Sequence, residues 1–306
     1  MAIYYINGTT LANSTSIFTD AELTICAADG HYSDGSGVVR RQVDCVLGAV
    51  QSCPSCLYGC GAGPITYNLS EGVFNLDIDL GTDPLDVGAV LVKFTVASIP
   101  DGIRATYNGN IYNKLSSPVD GYHGGLDPSG FTYLGVDSPP STCAPVAGVT
   151  YTDLPEYRYD GTSFVSTGNT QTITPAANEL SFSASVPGTA VMVIPKTSAA
   201  INSLFIEIIG VCSSTAFTIE VDCPVLLTGF SASVVAGSLP AACALSLVGE
   251  YYNAPVSGTP GNPAITDWVF SDEYGSNVLA QGFYKISATE YIEVDANGVV
   301  IDRANC

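Results

Sequence analysis

From Phe74 to Leu80 apolar and polar residues alternate with a period of two, the pattern of a half-buried antiparallel strand that turns Asp77 and Asp79 to solvent. The alternation returns in Leu180-x-Phe182-x-Ala184-x-Val186, Val191-x-Val193, Leu204-x-Ile206-x-Ile208 and Phe217-x-Ile219-x-Val221, while Ala89 to Val96 is a denser apolar run. Gly and Pro punctuate nearly every interval, and no 3.6-residue periodicity persists beyond two turns. The chain is therefore predicted to be all-β. Two strand-rich stretches, 63–115 and 170–223, are expected to bury complementary faces as an antiparallel β-sandwich of jelly-roll-like form. Between them, 116–169 holds Asp, Gly, Pro and Tyr with little alternation, which predicts long loops or short hairpins at one end of the sandwich.

A block near the start recurs at the end. Ile17-Phe18-Thr19-Asp20, Gly30-x-Tyr32 and Gly37-Val38-Val39-x5-Cys45 match Val269-Phe270-Ser271-Asp272, Gly282-x-Tyr284 and Gly298-Val299-Val300-x5-Cys306. A Tyr-Tyr pair leads into each copy, at Tyr4-Tyr5 and Tyr251-Tyr252. In this alignment nine more residues separate Gly282 from Gly298 than Gly30 from Gly37, which suits a longer hairpin loop. The expected organisation is an N-terminal β module over 1–62, a central sandwich over 63–225, and a C-terminal module over 226–306 related to the first.

Charged residues make up only 12% of the 306, and nine Lys plus Arg stand against 29 Asp plus Glu. The net charge of −20 repels phosphate backbones and anionic membrane surfaces, so nucleic acid is excluded as a partner. No run approaches the roughly 20 apolar residues of a spanning helix, and membrane insertion is not expected. Ten cysteines, Cys26, Cys45, Cys53, Cys56, Cys60, Cys143, Cys212, Cys223, Cys243 and Cys306, in a β-rich chain favour disulfides or structural thiols and an oxidising setting. Their spacing leaves the pairing open. The opening Met1-Ala2-Ile3-Tyr4-Tyr5 shows neither a basic region nor an apolar run, which predicts cytoplasmic synthesis followed by work outside the cell.

Candidate chemistry is sparse. Cys45, Cys53, Cys56 and Cys60 could supply four thiolates to a metal, but no second Cys-x2-Cys or nearby His accompanies them, so disulfides are the simpler reading and no metal or other cofactor is expected. His31 sits where the second copy has Phe283, which suits packing. His123, in Gly121-Tyr122-His123-Gly124-Gly125, lacks the Gly-x-Ser-x-Gly turn of a triad hydrolase. Asp120, Asp153, Glu156 and Asp160 could provide a glycosidase-like pair, and Asp83, Asp86, Asp120 and Asp127 could gather around calcium, but neither set has a diagnostic spacing. Tyrosines crowd the loop-rich stretch, and Tyr122, His123, Tyr133, Tyr157 and Tyr159 are the candidate contact residues, suited to glycans or proteins and equally to subunit packing.

Several segments resemble virion structural proteins of tailed bacteriophages, including marine and crAss-like groups. They are Tyr4-Tyr5-Ile6-Asn7-Gly8, Phe18-Thr19-Asp20, Gly30-His31-Tyr32-Ser33-Asp34-Gly35, Cys53-Pro54-Ser55-Cys56, Ile99 to Gly109, and Gly282-Phe283-Tyr284-Lys285-Ile286. The resemblance implies a virion component made in the host cytoplasm, without catalytic residues to carry over. With the residue-level reading it gives a non-enzymatic tail-fibre or surface-appendage component that forms a homo-oligomer, a trimer or ring, and contacts other virion proteins and a host-surface glycan or protein. The competing expectations are a capsid decoration, cement or tail-ring protein that binds only virion proteins, and an appendage enzyme that degrades polysaccharide.

Overall fold

The computed structural model describes residues 4–28, 30–33, 38–48, 51–52, 58–68, 70–81, 85–97, 101–116, 132–134, 149–174 and 189–306. The chain is all-β, with one short α-helix (Leu239–Cys243) and one 3-10 turn (Leu11–Asn13) among these residues. The expected strand at 180–186 lies outside them.

The N-terminal module holds β1 (Tyr5–Ile6), β2 (Ile17–Phe18), β3 (Gly30–Ser33), β4 (Val38–Val43), β5 (Val46–Leu47) and β6 (Gln51–Ser52). β1 pairs with β2, while β4 pairs with β3, β5 and β6. Leu11, Ile17, Ala27 and Leu47 form its small core.

The sandwich contains β7 (Tyr58–Gly59), β8 (Ile65–Asn68), β9 (Gly72–Asp79), β10 (Gly88–Val96), β11 (Asp101–Tyr107), β12 (Asn110–Tyr112), β13 (Thr132–Leu134), β14 (Tyr151–Tyr159), β15 (Phe164–Ile173), β16 (Ala190–Lys196), β17 (Ser203–Gly210) and β18 (Ala216–Val221). The smaller sheet runs β16-β10-β18-β8. The larger runs β12-β11-β17-β9-β14-β15, with β13 on β11 and β7 on β9. Alternate residues from the two sheets meet in one core. Val90, Val92 and Phe94 of β10 and Phe217, Ile219 and Val221 of β18 share it with Phe74, Leu76 and Ile78 of β9 and Leu204, Ile206 and Ile208 of β17. Two pairings depart from the antiparallel expectation, since β14 and β7 both run parallel to β9 along one edge. β7, expected in the first module, therefore belongs to the sandwich, and the disulfide from Cys60 to Cys223 ties it to the end of β18.

The C-terminal module holds β19 (Thr228–Ala232), β20 (Gly249–Ala254), β21 (Trp268–Phe270), β22 (Gly282–Lys285), β23 (Glu290–Val294) and β24 (Val300–Asn305). It covers the outer side of the smaller sheet. Ala89, Leu91, Val191 and Val193 project outward from β10 and β16 into a second core with Leu227, Ala254, Trp268, Phe270 and Val299. Burial on both faces is why Ala89 to Val92 reads as an unbroken apolar run where β9 alternates, while Lys93 and Thr95 beyond it are part-exposed.

The duplicated unit is visible in the backbone. Phe18 bridges Cys26 as Phe270 bridges Val278. Ala27 N–H donates to Ile17 O as Leu279 N–H does to Val269 O, both at 2.9 Å. Asp20 accepts from the amides of Thr24 and Ile25, and Asp272 from those of Ser276 and Asn277. Gly30 pairs with Gln42 as Gly282 pairs with Val294. A single offset of 252 relates all these positions, which corrects the third matched block. Val38-Val39 belong to β4, whose equivalent is β23, whereas Gly298 occupies the turn after β23 with φ of +85°. The disulfides differ for the same reason. Cys26 pairs with Cys45 inside the first module, whereas Cys243 pairs with Cys306, and the position equivalent to Cys26 is Val278.

Candidate functional site

The tyrosines expected on loops divide three ways. Tyr122 and His123 lie outside the described residues, and Tyr133 falls in β13, whose backbone pairs with β11. Tyr157 and Tyr159 are not on loops. Both sit in β14 and turn inward, Tyr157 stacking on Phe74 with centroids 5.0 Å apart and Tyr159 meeting Tyr58 edge-on at 5.8 Å. The Tyr157 hydroxyl shares a hydrogen bond with Ser70 Oγ at 3.1 Å. These two rings extend the aromatic core, so the contact role expected of them does not match their position. Most of the stretch from 151 to 169, expected as loops, belongs to the hairpin of β14 and β15.

The outer face of the larger sheet carries a row of polar side chains at one register, in which Asn75 and Glu207 are themselves buried. Arg104 on β11 pairs with Glu207 on β17, Glu207 with Asn75 on β9, and Asn75 with Arg158 on β14. Arg104 is ion-paired to Glu207, and Arg158 Nη2 lies 2.5 Å from Asp77 Oδ2. Glu156 organises the neighbouring end. Its Oε1 accepts from Asn75 Nδ2 at 2.9 Å and Gln171 Nε2 at 3.2 Å, and its Oε2 from Thr167 Oγ1 at 2.9 Å and Asn169 Nδ2 at 3.1 Å. Partial burial pushes the Glu156 carboxyl upward, but these hydrogen bonds and the Arg158 charge outweigh it and hold the group below the usual carboxylate range. One step along the sheet Phe205 lies between Asp77 and Thr106 as a partly exposed ring, and on the other side of the row Val73 and Ile209 are buried with Leu154 and Ile173.

A carboxylate held ionised and saturated with donors makes a poor general acid, so the row is suited to recognition rather than proton transfer. Two atoms are left over, because Asn75 Oδ1 and Arg158 Nε are buried without hydrogen-bond partners. Sequence reading missed this face, although its signal is present: single polar residues at Asn75, Asp77, Arg104 and Glu207 interrupt the apolar positions of three strands.

Of the carboxylates considered for glycosidase chemistry, Asp160 caps the β14–β15 turn through the amides of Thr162 and Ser163, and Asp120 lies outside the described residues. Asp83 and Asp127, two of the calcium candidates, lie outside them as well. Cys45 and Cys60 belong to separate disulfides, which breaks up the four-cysteine cluster, while Cys53, Cys56 and Cys143 lie outside the described residues. Cys212 is buried. Among the described residues no group of three or more His, Cys, Asp or Glu is placed to hold a metal ion, and no helix is long and apolar enough to cross a membrane.

Comparison with known proteins gives no match to this chain among protein-family models, curated proteins or solved structures.

Proposed function

We propose that this chain is a non-enzymatic structural component of a bacteriophage virion, a tail-fibre or surface-appendage protein that assembles with other virion proteins, forms a homo-oligomer and contacts the host surface. The observation that carries the reading is the use of one β module twice, at either end of a sandwich, with one copy already serving as a docking unit against that sandwich. A polar sheet face locked by internal hydrogen bonds supports a contact role, because ordered polar groups meet a partner at small conformational cost. Disulfides in all three parts of the chain support a working life in an oxidising medium. The sequence resemblance to phage structural proteins points the same way.

Mass spectrometry of purified particles tests this reading. The chain is expected as an integral component that persists through density-gradient purification; its absence from particles would remove the proposal.

A further inference from the structure

The duplicated unit presents equivalent faces in two different states. In the C-terminal copy, Tyr252, Phe270 and Val299 belong to the surface seated on the smaller sheet, where Phe270 is 2% and Val299 7% exposed. Strand register assigns their counterparts in the N-terminal copy. Tyr5 pairs with Phe18 as Tyr252 pairs with Phe270. Leu47 donates to Thr15 O as Val300 donates to Asp267 O, which sets Val46 in the place of Val299. Val46 is 62% and Tyr5 37% exposed, Phe18 is partly exposed, and the Cys26–Cys45 disulfide borders them through the bridge from Phe18 to Cys26. Among the described residues no strand pairing joins this module to the sandwich.

We propose that the Tyr5, Phe18 and Val46 face docks on the aliphatic outer face of a β-sheet in a different protein. The occupant's chemistry follows from the twin, whose face is covered by Ala89, Leu91, Val191 and Val193, small and branched aliphatics projecting from two neighbouring strands. A second copy of this chain does not offer that seat, because its own Trp268 and Phe270 fill it. The other outward positions described do not form such a seat: Thr66, Thr218 and Thr95 on the smaller sheet and Asn75, Glu207 and Arg104 on the larger are polar, while Val73 and Ile209 are already buried with Leu154 and Ile173. Charge points the same way. Asp20, Glu22 and Asp44 lie in the same module and the chain carries −20, so a neutral or basic partner is favoured at this face. Ser16 replaces Trp268 at the centre and its hydroxyl donates to Cys45 O at 2.6 Å, so this seat is shallower and needs no deep slot in the partner.

The inference deepens the assembly role but rests on the geometry of the duplication. A partner from outside any particle would preserve it while removing the virion reading. The experiment places the photoreactive p-benzoylphenylalanine at position 46 of the full chain in its native expression host, irradiates, and maps the cross-linked peptides by mass spectrometry. The expected result is one dominant adduct in another protein, on a strand of alternating small aliphatics, with yield falling at least tenfold on F18D or Y5S while the melting temperature of the chain stays unchanged. The absence of an adduct, adducts confined to this chain or a second copy, a partner site lacking an aliphatic strand, or a yield unaffected by both substitutions would overturn it.

Discussion

The indole Nε1 of Trp268 donates to the main-chain carbonyl of Val191 at 2.8 Å, across a separation of 77 residues, and both residues are buried. This bond is where the C-terminal module meets the sandwich. The carbonyl also accepts the amide of Ser116 at 2.9 Å, so losing the indole leaves it with a partner. Trp268→Phe is expected to cost about 1 kcal/mol for the lost hydrogen bond, whereas Trp268→Ala is expected to cost about 3–5 kcal/mol because it empties the contact between β21 and the smaller sheet. Denaturant melts measure both. Hydrogen exchange on Trp268→Ala should show loss of protection concentrated in 249–300 and in the strand from Ala190 to Lys196.

Asp101 opens β11 with its side chain fully buried and both carboxyl oxygens without a hydrogen-bond partner. Its neighbour Thr215 commits its hydroxyl proton to Cys212 O at 2.8 Å. Burial holds the Asp101 carboxyl well above the usual range, and nearness to Thr215 only partly offsets that. The linkage sign follows. Below the ordinary carboxylate pKa the group is protonated in both states and contributes no pH dependence. Above it the unfolded chain releases a proton that the folded chain retains, so stability falls as pH rises until the folded group also ionises. Asp101→Asn should flatten this slope and raise the melting temperature at neutral pH, as read from thermal melts between pH 4 and 8. Gly210 is tied to the same spot, because a Cβ there would collide with Thr215 Oγ1 and Asp101 Oδ1; Gly210→Ala should destabilise.

Glu156 has the opposite sign. Its folded pKa lies below the ordinary carboxylate value, so the stabilisation it provides is complete above that value and is lost as pH falls through the depressed one. Glu156→Gln should remove acid sensitivity in this range and lower stability at neutral pH, since one amide nitrogen replaces an acceptor facing Thr167 and Asn169. Melting temperatures from pH 3 to 6 on the two proteins check it.

Three disulfides take six of the ten cysteines, so at most four thiols should react with a maleimide in the unfolded, unreduced chain. Cys60 and Cys223 are separated by 163 positions. Replacing both with Ser should cost about 5 kcal/mol by the loop-entropy account, more than either other disulfide among the described residues, because it frees the longest of the three loops. Thiol counting with and without reductant, followed by denaturant melts of the double variant, gives both numbers.

The central sandwich strands were legible because their inner face is dry, and Phe74 to Leu80 and Phe217 to Val221 alternate accordingly. The duplication was legible from Phe18, Asp20, Gly30 and Tyr32 because each has a fixed structural task. Tyr32 and Tyr284, for example, both donate to the carbonyl four residues earlier. The Gly-Val-Val-x5-Cys likeness misled, since sequence does not distinguish a turn glycine from one that precedes a strand. β14 and β15 were hidden by their own surroundings. Pro155 sits within β14, Asp153 has φ of +58°, and β15 from Val165 to Thr170 is exposed throughout, so no apolar rhythm marks either strand. The polar row that joins β11, β17, β9 and β14 depends on a parallel pairing between segments 81 positions apart for Asn75 and Glu156, which local pattern does not encode.

Locating an epitope-labelled chain in intact virions by cryo-electron microscopy decides whether this protein is a structural part of a particle, as proposed. The expected result is label at regularly repeated positions on the tail or outer surface, with the sandwich resolved as an ordered density and the Tyr5, Phe18 and Val46 face against a neighbouring protein. Particles that carry no label, from cells in which the labelled chain is abundant, would contradict it.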